Sequence, residues 1–362
     1  MMRLILNGRF VSQRATGVQR VARECVRSID ALIGEGRWPQ VEFRLAVPET
    51  PDDAHETLGL VNIPVDVLPG GSGHKWEQRA LMRHAKGARL VCLGNTAPLL
   101  PLLKGEPMAV MIHDLAYRLF PGDYSRAYRM AHMVADAVIL RRARPLLTVS
   151  ATERRTLADA SGRSDIVVAA NGSVEGDRFP IVQPRVAGGP LLYVGAFSSR
   201  KNIEMVVEIA VAAARQRGLG TVLVGPPSDL SASLEASLPE DVRALVRFAG
   251  FVDDAELAKL YGTATALLYP SRYEASGLPP TEAMAHGCPV LASDLPVLRE
   301  RCGDAALFAG VDDRDAMIGA VLRIIDEKDL RARMAIAGRH RAETFTWRSQ
   351  AVTIVEALLA ER

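Results

Sequence analysis

Three clusters in this 362-residue chain combine residue types and spacings that could do chemistry. Glu274 and Glu282 stand eight positions apart and bracket a loop that enters a helix near Pro280. Singly, Glu282 reads as an acid complementing a helix dipole and Glu274 as a solvated loop charge. Together with the backbone N–H groups of Gly277 and Leu278, they border a place where an anion can bind. Arg200 and Lys201 lie between a strand ending at Gly195 and the start of a helix. They read either as a solvated pair or as cations joined to free amides in an anion site. His113 and Asp114 close an apolar strand, where a histidine is either satisfied by backbone or aimed at a ligand. Asp313 and Asp315 have the Asp-x-Asp spacing of a divalent-cation site. They open a helix, however, where acids cap the first turn and complement its dipole, so we expect no metal.

Every one of these residues needs a strand end to hold it. Apolar or alternating runs predict strands at 3–7, 41–47, 65–68, 108–112, 146–150 and 166–170, and again at 191–195, 221–225, 246–252, 266–269 and 289–292. Helical periodicity predicts helices at 18–32, 75–86, 125–142, 202–214, 234–245 and 316–325, with a last helix from Trp347 through Leu359. In the 125–142 helix, Tyr128, Met130, Met133, Val134 and Val138 form a stripe read as core. Strands alternating with helices imply parallel, doubly wound α/β sheets, whose ligands sit at strand carboxyl ends. The glycine near residue 17 is not part of a Gly-x-Gly-x-x-Gly fingerprint, so no dinucleotide site is read there.

The length suits two cores. The Pro- and Gly-rich stretch 175–189 marks a connection, giving domains at 1–180 and 181–345 with a final helix at 346–362. Cys25, Cys92, Cys288 and Cys302 lack Cys-x-x-Cys spacing and read as reduced, buried thiols of a cytoplasmic protein. The first strand lacks the apolar length of a signal peptide, and no 18-residue apolar window exists to span a bilayer. Membrane contact would then be peripheral. Residues 1–180 carry 24 Lys and Arg against 19 Asp and Glu, a basic balance suited to an anionic membrane or acidic acceptor. Trp76, Arg79, Arg83 and Lys86 share a helical face. That face is either interfacial or a packed Trp beside solvated cations. Nothing points to nucleic acid.

The string from Tyr273 to Val290, Tyr-Glu-x-x-Gly-Leu-Pro-x-x-Glu-Ala-Met-Ala-x-Gly-x-Pro-Val, resembles the donor-binding signature of the retaining nucleotide-sugar glycosyltransferases of family four. That family has the GT-B fold: two facing Rossmann-like domains, with the last helix crossing back to the first. Thr16 to Arg20, Trp76-Glu77-Gln78, His113-Asp114 and Arg200-Lys201 are similar to the family at further points. The resemblance implies that Glu274 contacts the donor sugar and Glu282 the ribose. Arg200, Lys201 and amides near Gly277 would hold the diphosphate, with Gly195, Ser276 and Leu278 lining the site. Phe251 and Val252 would cradle the base, and Gly17 would lie in a loop closing over donor and acceptor. His113 would face the sugar hydroxyls, and Asp114 would orient the imidazole or a neighbouring loop. Ala275 and Ser276 replace the family's usual Gly-Phe, which bears on the sugar pocket; Ala170 stands where proline is usual.

The implied reaction passes through an oxocarbenium-like state with retention, the leaving phosphate taking the acceptor proton. The nucleotide-diphospho-sugar is the donor substrate and no cofactor is implied. GDP and UDP both fit, with GDP-mannose favoured. The acceptor would be a glycan or a polyprenyl-diphosphate-linked glycan of polysaccharide biosynthesis, met in the cytoplasm at the inner membrane face. A nucleotide-sugar epimerase of the same fold and a catalytically silent sugar-nucleotide scaffold are the alternatives.

Overall fold

The structure, a computed structural model, describes residues 1–13, 16–50, 55–173 and 188–361. It divides into two compact units, Met1–Gly172 with Trp347–Arg362, and Ser173–Thr346. The domain boundary expected at residue 180 and most of the 175–189 connection lie outside the described residues.

In the first unit, buried apolar runs form β1 (Met2–Asn7), β2 (Val41–Pro48), β3 (Val65–Leu68), β4 (Arg89–Cys92), β5 (Met108–Met111), β6 (Leu146–Thr148) and β7 (Val167–Val168). They pair in the order β3-β2-β1-β4-β5-β6-β7, every pairing parallel. The order reverses between β1 and β4, which places a topological switch point there. β4, Arg-Leu-Val-Cys, has no counterpart among the expected strands.

The Trp347–Ala360 helix packs in this unit against the Gly17–Gly34 helix. Arg348 pairs with Glu35 at 2.5 Å and Arg37 with Glu356 at 2.8 Å, while Gln350 Nε2 donates to Asn171 Oδ1 at 2.8 Å. Gly172 lets the chain pass, since a Cβ there would stand 2.3 Å from the Trp347 nitrogen.

Two helical expectations for this unit are corrected. Residues 73–84 are interrupted by a π-helical turn, Glu77–Leu81, between Gly73–Trp76 and Met82–His84. The extra residue per turn rotates Trp76, Glu77 and Leu81 inward. Trp76 is therefore fully buried, its Nε1 donating to the Leu68 carbonyl at 3.1 Å, and is no interfacial anchor. Arg79, Arg83 and Lys86 remain exposed. In the Arg126–Arg142 helix Val138 packs against the core as expected, but the rest of the expected stripe faces solvent. Tyr128, Met130, Met133 and Val134 are 42–62% exposed, and the buried side is Asp136, Ile139 and Leu140. Helical period fixes which residues share a face, not which face the sheet covers.

The second unit contains β8 (Leu191–Val194), β9 (Thr221–Val224), β10 (Val246–Gly250), β11 (Ala266–Tyr269), β12 (Val290–Ser293) and β13 (Ala306–Ala309). They run parallel in the order β10-β9-β8-β11-β12-β13, with a second switch point between β8 and β11. One sheet face packs on the Ile203–Arg217 and Arg314–Asp326 helices, the other on Leu278–Ala285 and Pro296–Cys302. The helix expected at 234–245 is instead the Asp229–Ala236 helix and a separate short turn, Arg243–Leu245. Asp313 caps the Arg314–Asp326 helix by accepting the Ala316 N–H at 3.0 Å. All four cysteines are buried thiols. Among the described residues no helix is long and apolar enough to cross a membrane.

Candidate functional site

At the second unit's switch point, β8 leads into the Ser199–Lys201 turn and β11 leads into the loop carrying Glu274. The two strands adjoin, so Lys201 and Glu274 meet although 73 residues separate them. Lys201 Nζ lies 2.5 Å from Glu274 Oε1 and donates to the Tyr269 hydroxyl at 3.3 Å. Both charged side chains are largely buried. Burial alone would push the Glu274 carboxyl up. The Lys201 and Arg200 charges override it, holding the carboxyl below its ordinary range. Arg200 is kept beside this pair by its own chain: Nη1 donates to the Tyr273 carbonyl at 3.4 Å, and its carbonyl accepts the Arg272 N–H at 2.9 Å.

The loop then reaches Gly277, whose φ of 73° is left-handed, and turns into the Leu278–Ala285 helix with proline in its first turn. A Cβ on Gly277 would also approach Leu298 Cδ2 to 3.0 Å. The glycine thus serves both the turn and the close packing. Ser276 is buried and Leu278 half-buried beside it. One turn into the helix, Glu282 Oε2 accepts the Tyr261 hydroxyl at 2.9 Å, while His286 Nδ1 meets the Glu282 carbonyl at 2.8 Å and its ring stacks on Tyr261. Behind it lies Arg301, buried, with Nε donating to Thr281 Oγ1 at 2.6 Å and its guanidinium over the Phe345 ring. Burial lowers the Arg301 pKa to about 10, so the cation persists at neutral pH.

The next strands add a glycine lip. Gly195 follows β8 and Gly225 follows β9, and a Cβ on Gly225 would sit 2.0 Å from the Gly195 carbonyl oxygen. Beyond β10, Phe251 is exposed and Val252 half-buried. Lys201, Glu274, Ser276, Gly277, Leu278 and Glu282 thus gather on the elements following β8 and β11. Arg301 and Gly225 were not legible in the sequence. A Gly ending an apolar run was the one signal for Gly225, and Arg301 offered none.

The first unit has a polar cluster at its own switch point. Arg9 follows β1, and its Nη2 donates to Thr96 Oγ1, beyond β4, at 2.8 Å. Fully buried Glu77 Oε1 accepts from Asn7 Nδ2 at 2.7 Å and Thr96 Oγ1 at 3.0 Å, with Arg9 Nε 3.5 Å away. Burial would raise the Glu77 pKa, but His74, Arg9, Asn7 and Thr96 together hold it low. None of these contacts is visible in the sequence: the π-turn brings Glu77 inward, and the pairing of β1 with β4 brings Arg9 to Thr96.

One strand over, buried His113 has Nε2 2.8 Å from the Leu93 carbonyl, which can only accept. Nε2 therefore carries the proton and Nδ1 is the ring's acceptor. Burial lowers the His113 pKa despite Leu93 and Asp114, so the ring is neutral. Asp114 Oδ1 accepts the Ala116 N–H at 3.0 Å and so shapes the following turn rather than the imidazole. Gly17 is the exposed first residue of its helix, with open space where a Cβ would be; residues 14 and 15 of its loop lie outside the described residues.

Two parallel α/β units, each with its switch point beside the first strand, are the build of the GT-B glycosyltransferases. Residues 188–341, which lie within the second unit, match the family Glycosyl transferases group 1. The chain is 29% identical over 65% of its length to the O-antigen chain mannosyltransferase RfbU of Salmonella typhimurium, covering 65% of that protein. Sucrose-phosphate synthase from Thermosynechococcus elongatus shares the fold with a TM-score of 0.72 and 20% identity over 98% of both chains. Anabaena HepE, solved in complex with UDP and glucose, gives 0.73 and 17% identity over 99% of this chain and 100% of its own.

Proposed function

We propose that this protein is a retaining glycosyltransferase. It moves a hexose from a nucleotide-diphospho-sugar to a hydroxyl of a glycan or polyprenyl-diphosphate-linked glycan. The observation that carries this reading is the Lys201–Glu274 pair at the β8/β11 switch point, with Arg200 and the Gly277 helix start beside it.

The chemistry follows from what these groups can hold. Departure of the nucleoside diphosphate builds negative charge on its β-phosphate oxygen. Arg200, Lys201 and the amides following Gly277 are fixed donors for that charge, and fixed donors stabilise it without reorganising. Glu274, kept ionised by Lys201, accepts hydrogen bonds from sugar hydroxyls as positive charge develops at the anomeric carbon. Glu282, oriented by Tyr261, accepts from the ribose, and Phe251 and Val252 flank the base. The leaving phosphate takes the acceptor proton, so the anomeric configuration is retained. His113 offers Nδ1 as an acceptor to a sugar hydroxyl.

The likeness to RfbU favours mannose, and with it GDP; the UDP and glucose of HepE make UDP-glucose the competitor. Phosphate charge is met by Arg, Lys and amides, so we infer metal-independent transfer in the cytoplasm at the inner membrane face. Calorimetric titration with GDP-mannose and UDP-glucose tests the site. Lys201→Ala should weaken the preferred donor by about 1.5–3 kcal/mol, the range for hydrogen bonds to charged groups. Equal affinity in wild type and variant removes Lys201 from the diphosphate. EDTA should leave turnover unchanged; loss restored by Mn²⁺ contradicts the metal-free reading.

A further inference from the structure

Behind the start of the Leu278–Ala285 helix, a short chain of hydrogen bonds ends on the glycine that opens it. Arg301 Nε donates to Thr281 Oγ1 at 2.6 Å, and Thr281 Oγ1 donates to the Gly277 carbonyl at 2.9 Å. The directions follow from the groups, since a guanidinium only donates and a hydroxyl has one proton to give. The same carbonyl accepts the Thr281 backbone N–H at 3.3 Å, so the hydroxyl bond is the shorter of the two. Arg301 and Thr281 are both buried.

Arg301 is itself fixed in place. Its guanidinium lies 4.0 Å over the Phe345 ring, and its carbonyl accepts from Arg341 Nε at 3.0 Å. Its stem packs on the glycine, where a Cβ would stand 3.6 Å from Arg301 Cγ. A buried guanidinium is costly, and a well-packed apolar side chain fills such a space without that cost. An apolar side chain could not, however, donate to Thr281.

The consequence lies in the peptide unit that joins Gly277 to Leu278. A trans peptide is planar, so its C=O and N–H point in opposite directions. Holding the Gly277 carbonyl inside the helix aims the Leu278 N–H out of the helix start, where it has no intrahelical acceptor and where an anion is favoured. Pro279 and Pro280 follow and carry no N–H, so donation from this first turn falls to Leu278. A glycine imposes little of its own on that plane.

We propose that Arg301 is a positioning residue for the leaving diphosphate. Through Thr281 it fixes the Gly277–Leu278 peptide plane so that the Leu278 N–H donates to the β-phosphate. The inference rests on the transferase reading and adds to it the residue that holds this donor in aim.

Calorimetric titration of wild type and variants with GMP and GDP, and with UMP and UDP, tests it. The quantity to follow is the affinity gained from monophosphate to diphosphate, which a residue that only packs the core would leave alone. Thr281→Val keeps the shape and removes the hydroxyl. It should cut that gain by about tenfold, the low end for one hydrogen bond to a charged group. Arg301→Met should do the same, and the double variant should lose no more than either alone, because both interrupt one chain. Thr281→Ser keeps the hydroxyl and should restore the gain. An unchanged gain in Thr281→Val overturns the proposal, even where that variant melts earlier. Additive losses overturn it too, since Arg301 would then act by another route. If Arg301→Met does not fold, Thr281→Val and Thr281→Ser decide the matter. Wild type that gains nothing from the second phosphate in either series overturns the transferase reading and this inference together, whereas a gain kept in every variant removes the role of Arg301 alone.

Discussion

Lys201 and Glu274 stabilise one another in a pocket that water barely reaches, and each leaves a costly charge behind if the other goes. Glu274→Gln should therefore lower folding stability by roughly 3–5 kcal/mol, read from urea denaturation. The pH dependence has a defined sign. Glu274 titrates below its ordinary 4.5 when folded, so its contribution is present above that pH and lost as pH falls through the lower, folded value. The variant should show a shallower loss of stability in acid below about 4.5. Asp136 works oppositely, because burial raises it from 3.8 to about 6. Its ionisation opposes folding, so stability should decline as pH rises from about 4 to about 6, by roughly 2–3 kcal/mol. Asp136→Asn should flatten that decline in melts across pH; an unchanged slope assigns it to another group. At this scale the sequence exposed His113, Arg200, Lys201, Glu274 and Glu282, because each adjoins an apolar run whose end is visible. It hid the Arg9–Glu77–Thr96 cluster, whose members meet through the pairing of β1 with β4 and the π-turn that brings Glu77 inward.

The elements show where pattern reading reaches its limit. Most strands were legible from their apolar runs, while β4 and β13 were not. The Lys328–Glu343 helix also escaped, since its buried Leu330, Met334, Gly338 and Ala342 make a narrow apolar seam among charges. The helix at residues 126–142 was placed well and faced wrongly, and the π-turn at Glu77–Leu81 broke a period that the sequence presents as continuous. One element carries a sharp test. Gly277 sits at φ 73° with Leu298 close by, so Gly277→Ala should cost about 1–2 kcal/mol from the left-handed backbone alone. The helix start it sets also points its amides at the proposed diphosphate, so donor affinity should fall with it. A variant that melts earlier yet binds donor as wild type does would leave Gly277 a packing residue only.

At the scale of the whole molecule, the chain repeats one plan: β1 beside β4 and β8 beside β11, each with charged residues following the paired strands. Alternating strands and helices made that plan legible, and the strand-end motifs pointed to the second unit's candidate site. The return of the Trp347–Ala360 helix to the first unit cannot be deduced from periodicity, because it depends on contacts such as Gln350 with Asn171. The central claim is chemical: a hexose leaves its nucleoside diphosphate with the anomeric configuration kept. The most direct measurement is NMR of the reaction with donor ¹³C-labelled at the anomeric carbon, following released nucleoside diphosphate and product anomer together. The account predicts diphosphate release from one class of nucleotide-sugar, a product of the donor's own anomeric configuration, and near loss of both signals in Glu274→Gln. An inverted product, or diphosphate release undiminished in Glu274→Gln, would contradict it.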